Sequence, residues 1–172
     1  MATKIENQDL EVAHFNHFKH NIVGFDQLNE STVQRLLDMG VIQVSTAFER
    51  ALADKGGHKL VSLDKGDLYK DGSYSDAKLS TVRTSGYGKQ YSAPVTNIFN
   101  KTGTLRVQVY ERKQNKFFYF AIPRRAYIDI PKSSNIEIPF ELDGEPRRVP
   151  KRKVNVNWWR YEVKSWNEMA NK

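Results

Sequence analysis

The stretch LDKGDLYKDGSYSDAKLSTVR, Leu63 to Arg83, decides the fold. Within it, Asp71-Gly72 is the residue pair that a tight hairpin turn selects, because both central positions need positive φ. The flanking runs have β character, so the reading predicts strands at Leu60–Leu63, Gly66–Tyr69 and Tyr74–Thr84, the last two joined as a hairpin. Strand side chains alternate between faces. Asp76, Lys78, Ser80 and Val82 therefore share one face, and Ala77, Leu79 and Thr81 the other, more apolar one. Asp67 lies on the other arm, and pairing across the turn would bring it beside Asp76.

Working outward, NESTVQRLLDMG reads as a short helix capped by Asn29 or Ser31 and ended by Gly40. VSTAFERALADKGG reads as a second, from about Ser45 to Asp54, with Phe48, Ala51 and Leu52 on one face. SAPVTNIFNKTG fits a third, with Ser92 as cap, Pro94 in the first turn and Gly103 past the end. TLRVQVYER and KFFYFAIP predict a strand hairpin around KQN, whereas AYIDIP and NIEIPFEL alternate like edge strands. The expected class is α/β (α+β): a central mixed sheet flanked by helices, in one domain over residues 1–172. Its parts are an N-terminal helical region at about 1–56, a core at about 45–123 and a basic extension at about 124–172. His14, His17 and His20 would line one side of a helix, but no acidic or Cys partner stands at a zinc spacing. They read as ordinary histidines between Phe15, Phe18 and Ile22.

The 172 residues are 39% hydrophobic and 27% charged, enough for a packed core. The absence of cysteine excludes disulfides, thiolate metal sites and a Cys nucleophile. With no signal-like segment and no apolar run of membrane-spanning length, the expectation is a cytoplasmic protein without a membrane partner. The net charge of +7 is uneven: residues 1–60 carry −2 and residues 61–172 carry +9. A basic second half points to a polyanionic partner.

Two carboxylates and an ammonium group at one place have a definite use. A hard divalent cation prefers one or two carboxylates together with waters and phosphate oxygens. It can polarise a phosphorus–oxygen bond and acidify a bound water. Lys78 would orient or deprotonate that water or stabilise charge on phosphorus, and the Ala77 carbonyl is a neutral ligand. Asp67…Asp76-Ala77-Lys78 resembles the D…(D/E)-x-K signature of the PD-(D/E)XK nuclease superfamily, and the chain looks most like a type II restriction endonuclease. The resemblance spans roughly Ser45 to Pro123, with Gly66 where the fullest signature has proline. It implies an αβββαβ core, a Mg²⁺ cofactor for which Mn²⁺ can substitute, and Asp67, Asp76 and Lys78 as catalytic residues. It implies metal ligation by Asp67, Asp76 and Ala77, with Glu49 on the leading helix as a further ligand. Asp64 is a second candidate for the first acid.

The partner expected is double-stranded DNA, bound through Lys/Arg–phosphate contacts. Lys70, Arg83, Lys89, Arg124 and Arg125 flank the centre, and Arg147, Arg148, Lys151, Arg152 and Lys153 form the densest basic cluster. Ser85, Tyr87 and Gln90 in the loop TSGYGKQY are candidates for groove contacts. Cutting both strands of a palindrome implies a homodimer. The alternatives are a non-catalytic nucleic-acid-binding module, and a junction-resolving or repair nuclease on the same core. The Phe117–Phe120 run and Trp158, Trp159 and Trp166 read as packing residues before they read as base-stacking platforms.

Overall fold

A computed structural model describes residues 13–14, 16–17, 44–84, 91–131, 135–141 and 157–172. The expected helix at 29–40 lies outside them. The chain divides into two compact units, Met1–Ala51 and Leu52–Lys172.

In the first unit, Ala13, His14, Asn16 and His17 are helical, and His14 is buried. Helix α1 runs Val44–Gly56, from the first unit into the second, and buries Phe48, Ala51 and Leu52, the face expected from the sequence, together with Val44 and Ala53.

The second unit is built on a six-stranded mixed sheet. β1 (Lys59–Leu63), β2 (Gly66–Lys70) and β3 (Ser73–Thr81) form an antiparallel meander. Asp71 and Gly72 close the β2–β3 hairpin at φ 50 and φ 81, which is why Asp-Gly stands there. Two residues, β4 (Arg83–Thr84), leave this sheet, and β5 (Tyr91–Val95) follows. β6 (Leu105–Glu111) returns to pair parallel with β3, from Asp76↔Leu105 to Thr81↔Tyr110, and pairs antiparallel with β7 (Lys116–Ile122). Helix α2 (Arg124–Tyr127), β8 (Ile136–Pro139), a 3-10 turn at Trp158–Tyr161, β9 (Glu162–Val163) and helix α3 (Trp166–Asn171) complete the order. The six strands lie as β1-β2-β3-β6-β7-β9, and β4-β5-β8 form a second sheet. The described unit is thus mixed α/β with few helices.

Three expectations are corrected. Residues 91–95 form a strand, not the start of a helix. Tyr91, Ala93 and Val95 alternate into the core beside Ile136 and Ile138. β4 pairs only with Ser92 and Tyr91, so Pro94 stands beyond its end, where a missing N–H costs no ladder bond. AYIDIP is not a strand either. One helical turn after Pro123 buries Tyr127 and leaves Ile128 exposed, a period-three pattern that alternation misreads. Finally, the strand predicted to run to Thr84 stops at Thr81, and Val82 turns the chain into the second sheet.

The core lies under the second sheet. Leu105, Val107 and Val109 of β6 and Phe120 and Ile122 of β7 meet Ala93, Val95, Ile136 and Ile138. Trp159 stacks edge-on against Phe118, Phe120 and Phe140, and its indole N–H donates to the Pro139 carbonyl at 2.6 Å. The three tryptophans are packing residues, as expected: Trp158 and Trp166 are buried. Helix α3 lies across β6 and β7.

Gly103 is where the main chain enters β6 against β3, and a Cβ there would overlap the Tyr74 carbonyl oxygen. Because that atom belongs to a paired strand it cannot step aside, so Gly103→Ala should lower stability by roughly 2 kcal/mol or more, measured by urea denaturation.

Burial, with a smaller contribution from His17, lowers the pKa of His14 from 6.5 to about 4. The unfolded chain then binds the extra proton between those values, so stability of the first unit is held above pH 6.5 and lost as pH falls toward 4. Amide exchange at residues 44–51 should accelerate over that window in the wild type and not in His14→Leu.

Candidate active site

Asp76 is the least expected feature of β3. Its register partner is Leu105, so it faces the hydrophobic core under the second sheet and is 1% exposed. The face carrying Asp76, Lys78 and Ser80 is therefore not the open one, and Ser80 Oγ donates to the Pro94 carbonyl of β5 at 2.6 Å. A lone carboxylate would not survive such burial in its charged form. Two ammonium groups meet it: Lys78 Nζ lies 2.9 Å from Oδ2 and Lys101 Nζ 3.2 Å from Oδ1. Both oxygens are buried and accept no hydrogen bond of good geometry, so the compensation is ionic. The charge is felt nearby. Burial pushes the Tyr127 phenol up to about 12, Arg124 opposes the rise, and Asp76 adds to it.

Lys101 was not a sequence candidate. It belongs to the turn after Ile98, where its N–H donates to the Ile98 carbonyl at 3.1 Å, and Thr102 N–H donates to the Lys65 carbonyl at 3.2 Å. Only the crossover from β3 to β6 brings it to Asp76, and nothing in the local pattern signals that.

Asp67 is half-buried on β2. The β2–β3 ladder runs to Leu68↔Ser75, so Asp67 and Asp76 are each the next residue past the last pair, on adjacent strands. Gly66 packs on the Ser75 main chain just there. By alternation Asp67 shares its face with Tyr69, whose ring lies 5.0 Å from that of Tyr74, two residues before Asp76. Ala77 is buried on the opposite face between the two charged residues. Asp64 is exposed in the β1–β2 turn. Glu49 is half-buried on α1 in the first unit. Among the described residues no cluster of three or more His, Asp or Glu could hold a metal ion. A cation here would rest on the Asp67–Asp76 pair, a main-chain carbonyl and non-protein oxygens.

Of the basic candidates, Lys70 and Arg125 are exposed, and Arg83 is exposed on β4. Lys70 Nζ donates to the Gly56 carbonyl at 2.8 Å. Arg124 is half-buried, its guanidinium 4.9 Å from the Tyr127 ring centre. Ser85, Tyr87, Lys89, Gln90, Arg147, Arg148, Lys151, Arg152 and Lys153 lie outside the described residues.

Lys101→Met should destabilise the protein by on the order of 1–3 kcal/mol, because it leaves one oxygen of a buried carboxylate without a counter-charge. Asp76→Asn in the same background should recover part of that loss, and a double-mutant cycle by urea denaturation measures it. Comparison of the chain with protein-family models, with curated proteins and with solved structures found no match.

Proposed function

We propose that the protein is a metal-dependent endodeoxyribonuclease that hydrolyses DNA phosphodiester bonds at Asp67, Asp76 and Lys78. A sequence-specific enzyme of the type II restriction class, working as a homodimer on duplex DNA, is the form we favour. The observation that carries this reading is the Asp76–Lys78 pair. A carboxylate and an ammonium group stand two residues apart on one strand and touch at 2.9 Å, beside the strand that carries Asp67. The basic second half of the chain, +9 over residues 61–172, suits a polyanion. The mixed sheet with a leading helix, a three-stranded meander and a parallel fourth strand is compatible with a restriction-endonuclease-like core. The connection through β4 and β5 replaces the helix that such a core would have there.

The donor set fits a hard divalent ion. Asp76 offers two oxygens that accept no hydrogen bond, and its charge is balanced by ammonium groups where a cation would be. Asp67, Asp76 and the Ala77 carbonyl are the residues to hold Mg²⁺, or Mn²⁺ in its place. When bound, such an ion supplies polarisation of the phosphoryl oxygen and a more acidic water. Lys78 would orient that water, take its proton as the neutral amine, or as the ammonium meet charge growing on phosphorus. Lys101 would hold the Asp76 carboxylate aimed while substrate is absent. A binding module without catalysis has little use for carboxylates beside a phosphate, since they repel it unless a cation intervenes.

The test is cleavage of plasmid and phage DNA with Mg²⁺ or EDTA by wild type, Asp76→Asn and Lys78→Ala, each first checked for folding by circular dichroism. Discrete fragments that require Mg²⁺, Asp76 and Lys78 are expected, and Lys78→Ala should keep DNA binding. A smear with the same requirements would keep the nuclease and remove the restriction reading. Cleavage that survives in folded Asp76→Asn, or salt-sensitive binding with no cleavage by wild type on duplex or branched DNA, would overturn the assignment.

A further inference from the structure

On the other face of the sheet a second site is built around Arg106. Asp76 pairs in register with Leu105, and Ala77 with Arg106, so Arg106 projects away from the Asp76 centre. The residue is 3% exposed. Its Nη2 donates to the Lys172 main-chain oxygen at 2.7 Å, while Nε and Nη1 have no hydrogen-bond partner. No Asp or Glu side chain pairs with it among the described residues. Burial lowers its pKa to about 10, which measures how poorly the protein alone solvates the charge. A buried guanidinium with two unused donors is costly unless something anionic completes it.

Arg106 lines a pocket of about 430 Å³ between the β2–β3 turn, the entry to β6, α2 and the end of α3. Ser75 also lines it, and that residue is 7% exposed with a buried hydroxyl that has no partner. Lys70 and Arg124 reach the same pocket from opposite elements, and Asp71 is its one acidic lining residue. His58 is there too, and burial followed by the Arg106 charge lowers its pKa, which favours its neutral form. The volume falls in the range of about 300–1,000 Å³ typical of small-ligand sites and exceeds what a bare oxyanion fills.

We propose that this pocket binds a phosphomonoester. The Arg106 guanidinium and the Ser75 hydroxyl hold the phosphate, Lys70 and Arg124 add charge, and the organic group extends toward the mouth. A guanidinium keeps its charge and offers several fixed N–H donors, which suits it to a phosphate oxygen better than a single ammonium group. Two side chains with buried, unpartnered donors, on adjacent strands that both line one basic pocket, are the feature that points to an anion. The proposal does not depend on cleavage at Asp76.

The experiment is ³¹P NMR titration and thermal denaturation of the full chain with inorganic phosphate, for wild type, Arg106→Met and Arg124→Ala. Arg124→Ala covers the case in which the buried variant does not fold. Phosphate should bind wild type and raise its Tm beyond the rise in either folded variant, since phosphate also stabilises proteins non-specifically. Affinity should fall roughly tenfold or more when one charge-assisted contact is lost. Two further arms distinguish the source of the phosphate. A 5′-phosphorylated DNA oligonucleotide that competes with phosphate better than its 5′-hydroxyl form supports a nucleic-acid terminus. Competition by a mononucleotide, with no discrimination between the oligonucleotides, supports a small metabolite. No binding by wild type, or equal binding by wild type and the folded variants, would overturn the proposal.

Discussion

The parallel pairing of β3 with β6 is the constraint from which the rest of the second unit follows. Two parallel neighbours cannot be closed by a tight turn, and their connection must travel back along the sheet. Residues 82–104 make that journey, and they make it as strands β4 and β5. Those strands, with β8, cover the face that carries Asp76. The same segment ends in the turn that delivers Lys101 to the carboxylate and then in Gly103, packed against Tyr74. One pairing thus fixes the second sheet, the core between the sheets and the second ammonium partner of Asp76, Lys101.

A sheet covered on both faces must neutralise whatever charge its strands carry. β3 carries the buried Asp76, and β6 carries the buried Arg106 and Glu111; Asp76 and Arg106 stand next to one another in register on opposite faces. Asp76 is compensated twice over by Lys78 and Lys101, which gives the trio a net positive charge. Arg106 has only a main-chain oxygen and leaves two donors unused. The two faces therefore differ: the Asp76 carboxylate is met by ammonium groups, whereas Arg106 keeps unpartnered donors, and such donors cost stability unless an anion completes them.

Much of the meander was legible. Asp71-Gly72 names its own turn, and the alternation in Tyr74–Thr81 places Asp76 and Lys78 on one face, as the structure has them. The hairpin of β6 and β7 was legible too, because Leu105, Val107 and Val109 keep strict period two. What was missed has physical reasons. Ser92-Ala93-Pro94 carries a strong helix-start signal, and only the tertiary fact that β4 ends at Ser92 makes Pro94 harmless in a strand. No local signal marks the burial of Arg106 and Gln108, on the face of β6 opposite Leu105, Val107 and Val109. Lys101 is invisible to local pattern, because its partner lies 25 positions earlier and meets it only through the crossover. Local signals specify turns and faces. They do not specify what later covers a face.

The compensation of Asp76 is the feature that supports the proposed catalytic reading over a purely structural one. A structural ion trio gains nothing from oxygens that accept no directed hydrogen bonds, since buried carboxylates are most stable when their lone pairs are filled. Here both oxygens are met by flexible ammonium groups and by no main-chain N–H. Lysine is also the cation most easily withdrawn, because its stem is long and its contact is a single point. A carboxylate held this way can exchange an ammonium for a metal ion without unfolding the strand beneath it. A carboxylate pinned by backbone donors could not. On the proposed reading, the arrangement keeps the buried Asp76 carboxylate available to a cation that arrives with a phosphate.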